Sequence, residues 1–105
     1  MTRKIETLMN AAITSGKNWS LDNTSVTHSD GVAEVRLHGN KIAEIGDTFV
    51  TLYDGGWQTT TTKSRLNAIL RAHGAGNESV YQKNHQWKIA YDGKVEDFVS
   101  GVTLR

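Results

Sequence analysis

Between Gly55 and Asn77 the chain carries Lys63, Arg65, Arg71 and His73 and no carboxylate. Lys63 and Arg65 fall in the opening turn of a helix-like stretch, where the positive end of the helix macrodipole disfavours cations. A phosphate or an acidic partner bound there would remove that conflict. The hydroxyls of Thr60, Thr61 and Thr62, the free amides of a helix start and the two cations would together form an anion cradle. Exposed cations at such a place cost only about 0.3–1 kcal/mol, so a solvated helix face is the competing reading. Trp57 follows two glycines in a loop, where it could stack on a base or anchor a protein partner. Tyr53, Tyr81, Trp87 and Tyr91 are further aromatic candidates, although Trp87 also reads as a packed strand residue.

Other chemistries find less support. The four histidines, His28, His38, His73 and His85, are too far apart in sequence to form an i, i+3 or i, i+4 ligand pair. There is no cysteine, which excludes a thiolate zinc site, an iron-sulfur cluster, a disulfide scaffold and a Cys nucleophile. No Gly-x-Ser-x-Gly elbow, phosphate loop or dinucleotide fingerprint occurs. Asp30, Asp47, Asp54 and Asp92 each adjoin a glycine and read as turn formers. His38, followed by Gly39-Asn40 and Lys41, is the best-placed imidazole, and a metal-dependent hydrolase or nuclease built on it is a minor alternative. The residues call for no cofactor and no metal.

The elements that position these residues follow from length and pattern. The chain has 105 residues, 12 Lys+Arg against 11 Asp+Glu, and a formal net charge of +1. That length buries a single core. The near-zero charge argues against a generic nucleic-acid coat or a polybasic membrane binder. No apolar run approaches the roughly 18 residues of a membrane span, and Arg3, Lys4 and Glu6 stand where a signal peptide would be apolar. A cytoplasmic location without membrane association is expected.

Ile5, Leu8, Met9, Ala12 and Ile13 recur at helical spacing, with Thr2 as a cap and Gly16 as a stop. A polar stretch from Ser15 to Asp30 follows, pinned by Trp19 and Leu21. Strands are expected near Ser25–His28, over Val32–His38 and Lys41–Ile45, and over Thr48–Tyr53. A two-residue loop at Gly39-Asn40 sets Leu37 opposite Ile42 but also Val35 opposite Glu44, a conflict that demands a bulge or a poorly covered sheet face. The second helix, capped by a threonine among residues 60–62 and stopped at Gly74, places Leu66, Ile69 and Leu70 toward the core. Lys63 and Arg65 are expected on its exposed face. The last third reads as a meander of Ser79–Lys83, Gln86–Tyr91 and Lys94–Val99. Its Asp92-Gly93 loop sets Lys88 opposite Asp97 and Trp87 opposite Phe98. The expected class is α+β: an antiparallel sheet of about six to seven strands packed on a central helix, with an N-terminal amphipathic helix. Residues 1–23 are read as an extension of helix and polar linker, and residues 24–105 as a single α+β domain.

Three runs carry a resemblance. They are Val35-Arg36-Leu37-His38-Gly39-Asn40-Lys41-Ile42-Ala43, the stretch from Gly56-Trp57 through the threonines and Lys63-Ser64-Arg65-Leu66-Asn67 to Leu70, and Val80-Tyr81-Gln82-Lys83-Asn84. Over residues 24–104 the sequence resembles a widespread family of small tailed-bacteriophage accessory proteins, mostly of unassigned function. The resemblance implies a phage origin and life in the cytoplasm of an infected bacterium, and transfers no catalytic residue. The functional expectation is a non-enzymatic accessory protein that binds and modulates a host or host-defence protein, in host takeover or counter-defence. Trp57, Thr60, Thr61, Thr62, Lys63, Arg65, His38 and Lys41 are its candidate contacts. The alternative is a nucleic-acid or nucleotide-signal binding module using the basic helix start. Neither reading fixes an oligomeric state.

Overall fold

The computed structural model describes residues 3–105, so the expected cap at Thr2 lies outside the described residues. Helix α1 spans Lys4–Ser15 and buries Glu6, Met9, Ala12 and Ile13 along one stripe before Gly16 ends it in the left-handed region. Five strands follow as a meander: β1 (Trp19–Leu21), β2 (Thr24–Ser29), β3 (Val32–Leu37), β4 (Asn40–Ile45) and β5 (Val50–Leu52). Helix α2 (Thr60–His73) comes next. It leads into β6 (Ser79–Lys83), β7 (Gln86–Tyr91) and β8 (Lys94–Asp97), and the described chain closes with β9 (Val102–Leu104).

The expected α+β class holds, with the strands divided between two antiparallel sheets instead of one. The first has six strands in the order β1-β2-β3-β4-β5-β9, and the second has three in the order β6-β7-β8. β9 returns past the smaller sheet to pair with β5, joining Val50 to Leu104 and Leu52 to Val102. α2 packs against α1, against β4 of the large sheet and against β6 of the small one. Its Leu66, Ile69 and Leu70 are at most 1% exposed and share one core with Met9, Val35, Ile42, Leu52 and Ile89.

The hairpin after β3 differs from expectation by one residue. Its loop is His38-Gly39, both at positive φ, which is the twist that two-residue hairpins favour. Leu37 therefore faces Asn40, and a bulge between Val35 and Arg36 restores Val35 to a partner, Ala43, on the buried face. Glu34 consequently lies opposite Glu44 on the other face. The two carboxylates avoid a bare like-charge pair because Glu34 binds Arg36 and Glu44 accepts from the Tyr53 hydroxyl at 2.7 Å. In the small sheet the expected register is the observed one. Lys88 faces Asp97 and forms an ion pair with it, and the Trp87 and Phe98 rings meet edge to face at 5.4 Å.

The boundary expected after residue 23 falls inside a hairpin. Trp19 pairs with Val26 and Leu21 with Thr24, while Met9 and Ile13 belong to the common core. Residues 4–21 are thus built into the same body as the rest.

Candidate functional site

At the N-terminal end of α2 the loop from Tyr53 to Thr59 folds over the β3–β4 hairpin. The Tyr53 amide donates to the Ile42 carbonyl at 2.8 Å, and the Asp54 amide to the Ser100 hydroxyl at 3.1 Å. The Asp54 carboxylate then organises the turn that follows: Oδ1 accepts from the Gly56 amide at 2.8 Å and Oδ2 from the Gln58 side chain at 3.3 Å. An amide donation from Trp57 to the Asp54 carbonyl, 3.1 Å, closes the turn. This local hydrogen bonding follows from an Asp set two residues before a glycine. It leaves the Trp57 indole in water, 69% exposed, the highest value among the exposed large hydrophobic residues.

Thr59, not a threonine among residues 60–62, caps α2. Its hydroxyl accepts from the Thr62 amide at 3.1 Å and lies 2.9 Å from the Thr62 hydroxyl. Thr62 is thereby buried, while Thr61 faces an open cleft of about 430 Å³. Leu37 and Ile42 supply the apolar part of that cleft, and His38, Asn40, Asp54 and Trp57 also line it. The structure thus brings Trp57, His38, Thr61 and Thr62 together. Thr60 is exposed on the first turn but does not line the cleft.

The three expected cations are elsewhere. Lys41 sits 3.6 Å from Glu44 and 5.0 Å from the centre of the Tyr53 ring. Lys63 reaches Gln82 at 3.4 Å. Arg65, expected on the exposed face, is 3% exposed and forms a buried knot between the helices and β2. Its Nη1 donates to Glu6 at 2.8 Å, its Nε to the Thr24 hydroxyl at 3.1 Å and its Nη2 to Asn23 at 3.3 Å. The Ser64 hydroxyl adds a 2.6 Å bond to the same Glu6 oxygen. The physical reason is helical phase: Arg65 lies four residues before Ile69, on the core stripe, and complementary charge makes its burial tolerable. Burial pushes the Glu6 carboxyl up, but the bonds from Ser64, Arg65 and the Arg3 amide outweigh it and hold the carboxyl below its ordinary value. The same carboxylate interaction works in reverse at Tyr53, whose hydroxyl is pushed up to about 12 by its bond to Glu44 and by burial.

None of those cations lines the cleft, and the fixed side-chain charge among its lining residues is the Asp54 carboxylate. Asp54, Asn40 and Thr59 are the polar contributors that sequence reasoning left out of the site. The signal for Asp54 was its place at the head of Asp-Gly-Gly-Trp, read only as a turn. Asn40 was assigned to the hairpin loop. Trp87 is buried against Phe98 and takes no part, and Tyr91 is engaged with Glu96 at 3.0 Å. A second region of cavities, about 240 and 210 Å³, lies at the opposite end of α2 around His73. Burial pushes the His73 imidazole below its ordinary value, and its Nε2 is among the buried side-chain atoms without a hydrogen-bond partner. Among the described residues, no group of three or more His, Asp or Glu side chains is arranged to hold a metal ion, and no helix is long and apolar enough to cross a membrane.

Neither the curated proteins nor the solved structures contain a significant match to this chain. A family model does match, over residues 2–105, and so includes the helix and the β1 hairpin that the resemblance left outside. The chain carrying this fold and cleft belongs to the Kyanoviridae Gp96 protein family, a family of phage proteins.

Proposed function

We propose that this phage protein is a non-enzymatic accessory module that binds and modulates a host or host-defence protein through the cleft at the start of α2. The observation that carries this reading is Trp57, 69% exposed on a loop pinned by the Asp54 hydrogen bonds, beside an apolar floor of Leu37 and Ile42. Tryptophan is enriched among the few residues that dominate protein interfaces, above all where a pocket adjoins it. A cleft of about 430 Å³ suits an inserted side chain or short turn of a partner. The nucleotide-binding alternative draws less on this site, because Arg65 is buried and paired with Glu6 and Lys63 is not among the residues that line the cleft. A phosphate at this helix start would meet hydroxyls and amides together with the Asp54 carboxylate, which repels it.

A photo-crosslinking residue at Gln58, beside Trp57, tests the reading in infected cells. The same residue at Asp30, on the hairpin near the opposite end of α2, is the control. We expect a discrete host protein to be captured from position 58 and not from position 30, and Trp57→Ala to remove that product. Identical products from both positions, or capture indifferent to Trp57→Ala, would reject the proposal.

A further inference from the structure

We infer that the cleft receives a cationic side chain, a lysine or arginine on the docking segment of the partner; this rests on reading the cleft as a protein-binding site. The charge balance sets the sign. The start of α2 contributes roughly half a positive charge, whereas Asp54 contributes a full negative one and no lysine or arginine is among the residues that line the cleft, so the lining is net negative. The shape suits a long amphipathic side chain. Leu37 and Ile42 can cover an aliphatic stem while the charged head stays at the polar rim. There the head meets the exposed face of the Trp57 indole, the best aromatic partner for a cation. It also meets side-chain oxygens of Asn40 and Thr61, which can accept from a guanidinium or ammonium. The Asp54 oxygens each accept one bond from the loop, and a carboxylate oxygen has capacity for a second. The lining therefore combines apolar, aromatic and anionic groups, the chemistries that match the stem and the head of a lysine or arginine side chain.

The full chain can be titrated with blocked peptides Gly-Gly-X-Gly-Gly, where X is Arg, Glu or Leu, and with inorganic phosphate. The readouts are the Trp57 indole N–H resonance, assigned through Trp57→Phe, and the Gly55 and Gly56 amide resonances. We expect saturable shifts with the Arg peptide that weaken as salt rises. Asp54→Asn keeps an oxygen acceptor for the Gly56 amide while removing the charge, and should weaken Arg-peptide binding about fivefold. Trp57→Ala, at a position too exposed to disturb the core, should weaken it at least as much. A silent Arg titration, a preference for the Glu or Leu peptide or for phosphate, or equal Arg affinity in Asp54→Asn would overturn the inference. A Leu preference with position-58 crosslinking retained would remove the cation alone, whereas a phosphate preference with crosslinking lost would remove the protein-binding reading as well.

Discussion

The Glu6–Arg65 knot and the Trp57 cleft both draw on the first turns of α2, yet they spend polar groups in opposite ways. In the knot an arginine and a glutamate, 4% and 1% exposed in their side chains, are tied to each other and to Ser64, Thr24 and Asn23. In the cleft a carboxylate, an imidazole and an indole border open space. One region joins α1, α2 and β2 into a single body, and the other leaves binding capacity unspent. Chemical type did not separate them, since Arg65 resembles a ligand-binding residue in sequence as much as Lys63 does. What separates Arg65 from Lys63 is angular position on one helix. A buried ion pair is also a poor measure of stability gained, because its desolvation offsets its attraction. It is nevertheless costly to break from one side.

The largest effect that can test this contrast is therefore on the knot. Arg65→Ala leaves Glu6 buried without its cation and should destabilise the protein by about 3–5 kcal/mol in denaturant unfolding. Pairing it with Glu6→Ala should cost less than the sum of the two single changes, because the two side chains share one interaction. Additive losses would show that the pair is not coupled. Ile69→Ala, on the same helical stripe, should cost about 2–5 kcal/mol from the lost apolar contact and the cavity left behind.

Acid titration separates the regions less dramatically but with a definite sign. Glu6 is held below its ordinary value of 4.5 in the folded protein, so its stabilisation is complete above that pH and is lost as pH falls through the lower folded value. Glu6→Gln should flatten this acid limb of the stability curve. His73 is held below 6.5, so the unfolded chain takes up its proton first and stability begins to fall as pH drops below that value. His73→Phe should remove that earlier decline while leaving the Glu6 limb in place. The smallest expected change is at the cleft: Trp57→Ala should alter stability by less than about 0.5 kcal/mol, even as it abolishes partner capture. A larger loss of stability would mean that Trp57 is a packing residue.

Much of the fold was legible where local chemistry and pattern agree. The Asp92-Gly93 turn set a register in which Lys88 meets Asp97 and Trp87 meets Phe98, and both contacts form. Both helices were legible as apolar stripes. Their buried charges were legible too, had the wheel been followed through polar residues. Glu6 lies three residues before Met9 and seven before Ile13, and Arg65 lies between Thr62 and Ile69 at the same kind of spacing. Reading charge as exposure hid them. The His38-Gly39 loop was displaced by one residue because Gly39-Asn40 carries the commoner turn types, whereas the chain sets His38 itself at φ 53°. β1 was absorbed into a polar stretch, and β9, three residues long, is too short to show alternation. For the site, Trp57 was recognisable as an unpaired aromatic after glycines. The charge of the cleft was not, because it depends on the tertiary fold placing Asp54 in the lining and Lys63 and Arg65 outside it.

The return of β9 to β5 also dictates an order of events during synthesis. The hairpins from β1 to β5 each close over a two- to four-residue turn and can form within about 1–10 μs once they emerge. The β5 edge cannot be covered so soon, because Thr51 and its hydroxyl partner Thr103 are 52 residues apart. At about 5–20 residues per second the ribosome needs roughly 3–10 s to supply that segment. For those seconds the nascent chain presents an unpaired strand edge containing Val50 and Leu52, both buried in the finished protein. The interval before residue 104 arrives is therefore when the β5 edge is open to misassociation.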